Sequence, residues 1–151
     1  MTSGAAWGTL VLRVALGIIF VIHGYAAIAV VGPRALAGYT VRMGFPPGTA
    51  MPFAWYVILV HGLGGALLVL GLWTRAAAVL NIPVMLHTAL AHEWPRGFFL
   101  KGVVVDTAAD HIAAAGYEYA MLVLACTTTV ALLGAGRFSI DDRRRAPGRR
   151  H

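Results

Sequence analysis

His23, His61 and His87 each stand inside a long apolar run of the chain. An imidazole donates, accepts and changes charge near neutral pH. Placing one in hydrocarbon is costly, so a histidine within a membrane helix marks a candidate functional site. Glu118 lies at the start of a fourth apolar run. Such groups suit a quinone head, whose carbonyl oxygens need donors and whose reduction takes up protons. One histidine alone is ordinarily explained by a packing hydrogen bond to a neighbouring helix, worth roughly 1 kcal/mol. Three on different runs, with Glu118 close above, point instead to one shared polar pocket. Arg13, Asn81 and Tyr117 are the supporting polar residues. Arg13 sits about a turn into the first run, where it snorkels or pairs inward. Asn81 lies just inward of Pro83, whose ring frees a backbone carbonyl.

Other chemistries fare worse. A haem requires axial ligands on facing helices. The three histidines could supply a pair, but nothing selects one, so haem is less favoured than quinone. His87 and His92 are five apart and fall on different helical faces. His92-Glu93 lacks the following histidine of a zinc-protease motif, and no metal site is expected. No phosphate loop, nucleotide fingerprint or nucleophile elbow is present. Cys126 is the single cysteine, so an internal disulfide or dithiol relay is excluded.

These residues need elements to hold them. The chain has 151 residues, 59% hydrophobic and 12% charged, with a mean hydropathy of +0.75. A soluble domain is nearer half apolar and a quarter charged. The net charge of +6 does not indicate nucleic acid, because most of the arginines fall in one short turn (Arg75) and one terminal stretch (Arg137 to Arg150). That distribution fits a membrane protein with a positive inner side. The pattern predicts an all-α integral membrane four-helix bundle over residues 1–142. Its helices are expected at about 8–31, 52–72, 75–92 and 115–134, each near the roughly 20 residues that cross a bilayer. The link Trp73-Thr74-Arg75 forces an antiparallel hairpin. An even number of spans and an inner basic tail place both termini in the cytoplasm. Leu36, Tyr39, Val41 and Met43, with Arg34 and Arg42, suggest a short interfacial helix in the first outer loop, ended by Gly44 to Gly48. The loop from His92 to Ala115 is the longest, and its Trp94, Phe98 and Phe99 suit headgroups or a lid. Residues 143–151 read as a disordered basic tail. Gly62, Gly64, Gly65 and Gly71 read as close-packing positions, and Cys126 as an apolar filler.

The motifs, taken in order, resemble the DoxX family of small four-helix bacterial membrane proteins. They are Leu12-Arg13-Val14-Ala15-Leu16-Gly17 leading to His23-Gly24, Gly44-Phe45-Pro46, Gly64-Gly65, and Leu70-Gly71-Leu72-Trp73-Thr74-Arg75. Gly116-Tyr117-Glu118-Tyr119-Ala120 and Gly134-Ala135-Gly136-Arg137-Phe138-Ser139-Ile140-Asp141 follow. The resemblance extends nearly to Asp141. It implies a multi-pass protein of the bacterial cytoplasmic membrane. It also implies kinship with a subunit of a thiosulfate:quinone oxidoreductase and with complexes that handle thiol or oxidative stress. Two positions depart from the family pattern. His61 stands where a glutamate is usual before the paired glycines, and Ala27 where a lysine is usual after His-Gly. The expectation is a quinone-linked subunit that contacts the bilayer and a protein partner and binds no nucleic acid. The alternatives are a non-catalytic membrane adaptor and, behind it, a haem-binding bundle.

Overall fold

The computed structural model describes residues 3–42, 44–94, 97–99, 103–106, 111–114 and 116–145. Helix α1 spans Ser3–Tyr25 and continues as a π-helical segment, Ala26–Val31. Gly32, at φ 81°, breaks it. Pro33 then starts α2, Pro33–Arg42, which supplies the short helix expected in the first loop. Helix α3, Pro47–Leu70, begins at Pro47, earlier than predicted, because proline suits a first helical turn. Helix α4, Thr74–His87, passes into a second π-helical segment, Thr88–Glu93. Helix α5 is Glu118–Leu133, and α6 is Ile140–Arg145.

The fold is helical, with one small exception. Strands β1, Val103–Asp106, and β2, His111–Ala114, pair antiparallel in the long loop before α5. Helix α6 runs into the stretch expected as a tail: residues 143–145 are helical, and residues 146–151 lie outside the described residues. Two helical stretches, Ser3–Val31 and Pro47–Leu70, are long and apolar enough to cross a membrane, and α5 is a shorter apolar helix.

Helix α1 packs against α3, α3 against α4, α4 against α5, and α5 returns to α1. Their common core includes Leu16 and Phe20 of α1, Leu68 of α3, Ala78 and Met85 of α4, and Val123 and Val130 of α5. Helix α2 lies on α3 through Ala37, Ala50 and Ala54. The tightest seam is between α1 and α3. A Cβ on Gly17 would stand 2.8 Å from the Gly65 carbonyl oxygen, and one on Gly65 would stand 2.7 Å from the Val21 nitrogen. Only glycines let these backbones meet.

One end of the molecule is closed by charged groups acting on helix termini. Helix α3 finishes in a Schellman turn: Leu72 N–H donates to Leu67 and Gly71 N–H to Leu68, with Gly71 at φ 68°. The Arg13 guanidinium, 1% exposed, donates to the Leu68 and Val69 carbonyls at 2.5 and 2.9 Å and to Phe138 at 2.8 Å. It thus satisfies the Val69 carbonyl, adds a second donor to Leu68, and meets the negative end of the helix dipole. Arg75 does the same for α5, donating to Leu132 at 3.2 Å. Asp141 accepts from the Trp73 and Thr74 N–H groups at 2.9 and 3.0 Å, capping α4 from a distant part of the chain. That carboxylate holds Trp73 in a left-handed conformation, φ 48°.

Candidate functional site

The glycine seam that joins α1 to α3 also brings two histidines together. A Cβ on Gly24 would collide with the Gly62 backbone, so the neighbouring His23 and His61 are held close. Their rings are 6.4 Å apart and set edge to face. His61 is 7% exposed, and its Nδ1 is buried with no hydrogen-bond partner. Its ring lies 4.9 Å from that of Phe20. His23 is exposed, and its Nδ1 pairs with the Ile19 carbonyl at 2.9 Å, which turns the ring back along its own helix.

Both rings border a cavity of about 200 Å³. Ile19, Phe20 and His23 come from α1, and His61 from α3. Met85 and Thr88 come from the α4 rod, and Tyr119, Ala120 and Val123 from α5, with Gly116 just before it. The walls are apolar, with two imidazoles and two hydroxyls among them. That mixture is typical of a small-molecule site.

The remaining expected residues lie elsewhere. His87 does not reach the cavity: its ring packs on Phe45 at 4.7 Å and Phe53 at 5.8 Å. Glu118 and Tyr117 do not line it either. Tyr117 stacks on Trp94 at 4.7 Å and meets Phe98 edge-on at 5.3 Å. Asn81 is fully buried and donates to Val60 and Ala77, both at 2.9 Å, tying α4 to α3. It does not serve the Val79 carbonyl that Pro83 frees; nearby, Tyr56 donates to Leu80 at 2.6 Å. Arg13 pairs inward, as one of its two expected fates, but at the closed end described above. Among the described residues, no three of His, Cys, Asp or Glu gather to hold a metal ion.

The cavity includes residues that depth alone does not single out: Phe20, Thr88 and Tyr119. Their signal was phase. On α5, positions 119, 120 and 123 fall at helical spacing on one face. Glu118 is about 100° off that face at 3.6 residues per turn. Likewise Met85 and Thr88 share a face, and His87 turns away from it.

A family model for DoxX matches residues 8–94. The chain belongs to the DoxX family. The match covers α1 to Trp94 and so is narrower than the resemblance suggested: Gly116–Ala120 and Gly134–Asp141 lie beyond it. No curated protein and no solved structure matches the chain. DoxX proteins are membrane-associated, and the two long apolar helices here agree with that. Within the matched DoxX region lie His23, His61, Met85 and Thr88, three of the cavity's four walls.

Proposed function

We propose that this DoxX protein is the quinone-binding subunit of an oxidoreductase complex in a bacterial cytoplasmic membrane. Its four main helices, two of them long and apolar enough by themselves, cross the membrane as a bundle, with both termini in the cytoplasm. The closed end carries Arg75, Arg137, Arg143 and Arg144, and this concentration of charge supports placing it inside. The cavity then opens in the outer half.

One observation carries the ligand reading: a small apolar cavity in which two histidines from different helices stand 6.4 Å apart. An engineered apolar cavity of about 150 Å³ takes a benzene ring. The 200 Å³ here therefore fits one substituted ring. It does not fit a porphyrin, and the glycine contact between α1 and α3 leaves no slot for one. His61 offers a buried ring nitrogen without a partner, so a carbonyl oxygen would supply an interaction the protein lacks. His23, 6.4 Å from His61 across the helix seam, offers the bound head a second imidazole as hydrogen-bond partner. A quinone bound there takes up an electron pair and a pair of protons to become the quinol. A protein partner supplies the electrons, because a lone Cys126 offers no dithiol relay.

The test is a thermal-stability titration of the purified protein with a short-chain quinone. A ligand at a hundred times its Kd stabilises the folded state by about 2.7 kcal/mol. Wild type and His87→Leu are expected to show that stabilisation, and His61→Leu to lose most of it. No stabilisation of wild type, or equal stabilisation of His61→Leu, contradicts the assignment and favours a non-catalytic adaptor.

A further inference from the structure

The cavity is not sealed evenly. Phe20, His61, Met85, Ala120 and Val123 are buried. The lining residues that reach the surface include Ile19 and His23 on α1 and Tyr119 on α5, which is 43% exposed. These two helices form the loosest side of the helix cycle, in contrast to the glycine seam of α1 with α3. One helical turn from these lip residues stand Ile22 on α1 and Leu122 on α5, 60% and 61% exposed. Between Val14 and Val31, α1 and its π-helical extension carry no Asp, Glu, Lys or Arg, and α5 carries none from Ala120 to Leu133. An opening flanked this way faces hydrocarbon and not water.

We propose that the α1–α5 seam is a lateral portal through which the site takes a membrane-dissolved ligand. The head enters between His23 and Tyr119, and an isoprenoid or alkyl tail remains against Ile22 and Leu122. This rests on reading the cavity as a quinone-type site. It adds the substrate class: a lipid-borne amphiphile and not a water-soluble carbonyl compound. The cavity volume requires this division, since 200 Å³ holds a ring but not its tail. Tyr119 becomes a ligand-contacting residue at the lip; its hydroxyl makes no hydrogen bond among the described residues.

The experiment compares a single-ring quinone without a tail and the same ring bearing a decyl chain, each titrated against the full chain in lipid nanodiscs. Ile22→Trp and Leu122→Trp crowd the seam without lining the cavity. Leu132→Trp, on α5 and 74% exposed, is the control for adding indole to the lipid face. The portal predicts that both seam variants weaken the decyl quinone by about tenfold, or 1.4 kcal/mol. The tailless ring should change less than about twofold, and Leu132→Trp should alter neither. Unchanged decyl-quinone affinity in both seam variants, or equal weakening of both probes, overturns the portal while the cavity assignment stands. No binding of either probe by wild type overturns the cavity assignment, and the portal with it.

Discussion

His61 is the residue on which the account turns. It stands where the resemblance to DoxX proteins implies an acid, is buried against Phe20, and keeps one ring nitrogen without a partner. A neutral ring there donates or accepts, whereas a carboxylate would require a fixed cation nearby. Arg13 shows the opposite case, a buried charge whose two terminal nitrogens have partners in place while Nε has none. Hydrogen bonds from a charged donor contribute about 1.5–3 kcal/mol each. Arg13→Met, which strands the Val69 and Phe138 carbonyls and takes a second donor from Leu68, is therefore expected to destabilise the protein by about 3 kcal/mol or more, read as thermal unfolding in detergent. Arg13→Lys should recover only part, since a single ammonium cannot span both α3 and the Phe138 segment. Unfolding of Arg13→Met at the wild-type temperature would remove Arg13 from its structural role. The sequence made these polar residues visible but not their partners. Residue type was readable, so His23, His61, His87 and Glu118 were grouped in one expected pocket, of which His23 and His61 border the cavity. His87 packs on Phe45 and Phe53 instead, because residue type does not say which way a side chain faces.

At the level of the elements, the contact of α1 with α3 sets the histidine pair. Gly62, Gly64 and Gly65 were recognisable as close-packing positions in the sequence. Their counterparts Gly17 and Gly24 on α1 became evident only when the helices were brought together. Gly65→Leu forces that seam apart at an expected cost of about 1–3 kcal/mol. It should also weaken quinone binding, because His23 and His61 ride on the two separated helices. A Gly65→Leu protein that keeps both wild-type stability and ligand affinity would contradict this coupling. The cap on α4 has a separate test. Asp141→Ala should cost about 1 kcal/mol, the usual loss for a missing N-cap acceptor, and leave ligand affinity intact, since the cap is remote from the cavity. The third helix was only partly legible, because a hydropathy run does not distinguish α from π geometry, and α4 changes between them at Thr88. The β1–β2 hairpin was missed for a related reason: Val103–Asp106 and His111–Ala114 are too short to display an alternation.

For the whole molecule, the two ends of the helix cycle have different tasks. The end bearing Arg13, Arg75 and Asp141 is closed by side chains on helix termini, and it gathers motifs that lie far apart in the chain. The other end holds the cavity, between helices joined by glycines on one side and loosely apposed on the other. Several of the separated motifs therefore meet at the closed end. The asymmetry of the two ends predicts the topology. A reporter fused after His151 should be active only as a cytoplasmic reporter; an extracytoplasmic signal would reverse the bundle and place the cavity in the inner half. The most direct test of the central claim is photoaffinity labelling with an azidoquinone, followed by peptide mapping. The account predicts saturable labelling of the α1, α3 and α5 segments around His23, His61 and Tyr119, displaced by unlabelled quinone and lost in His61→Leu. Labelling confined to the Phe45, Phe53 and His87 cluster, or labelling that unlabelled quinone does not displace, would contradict it.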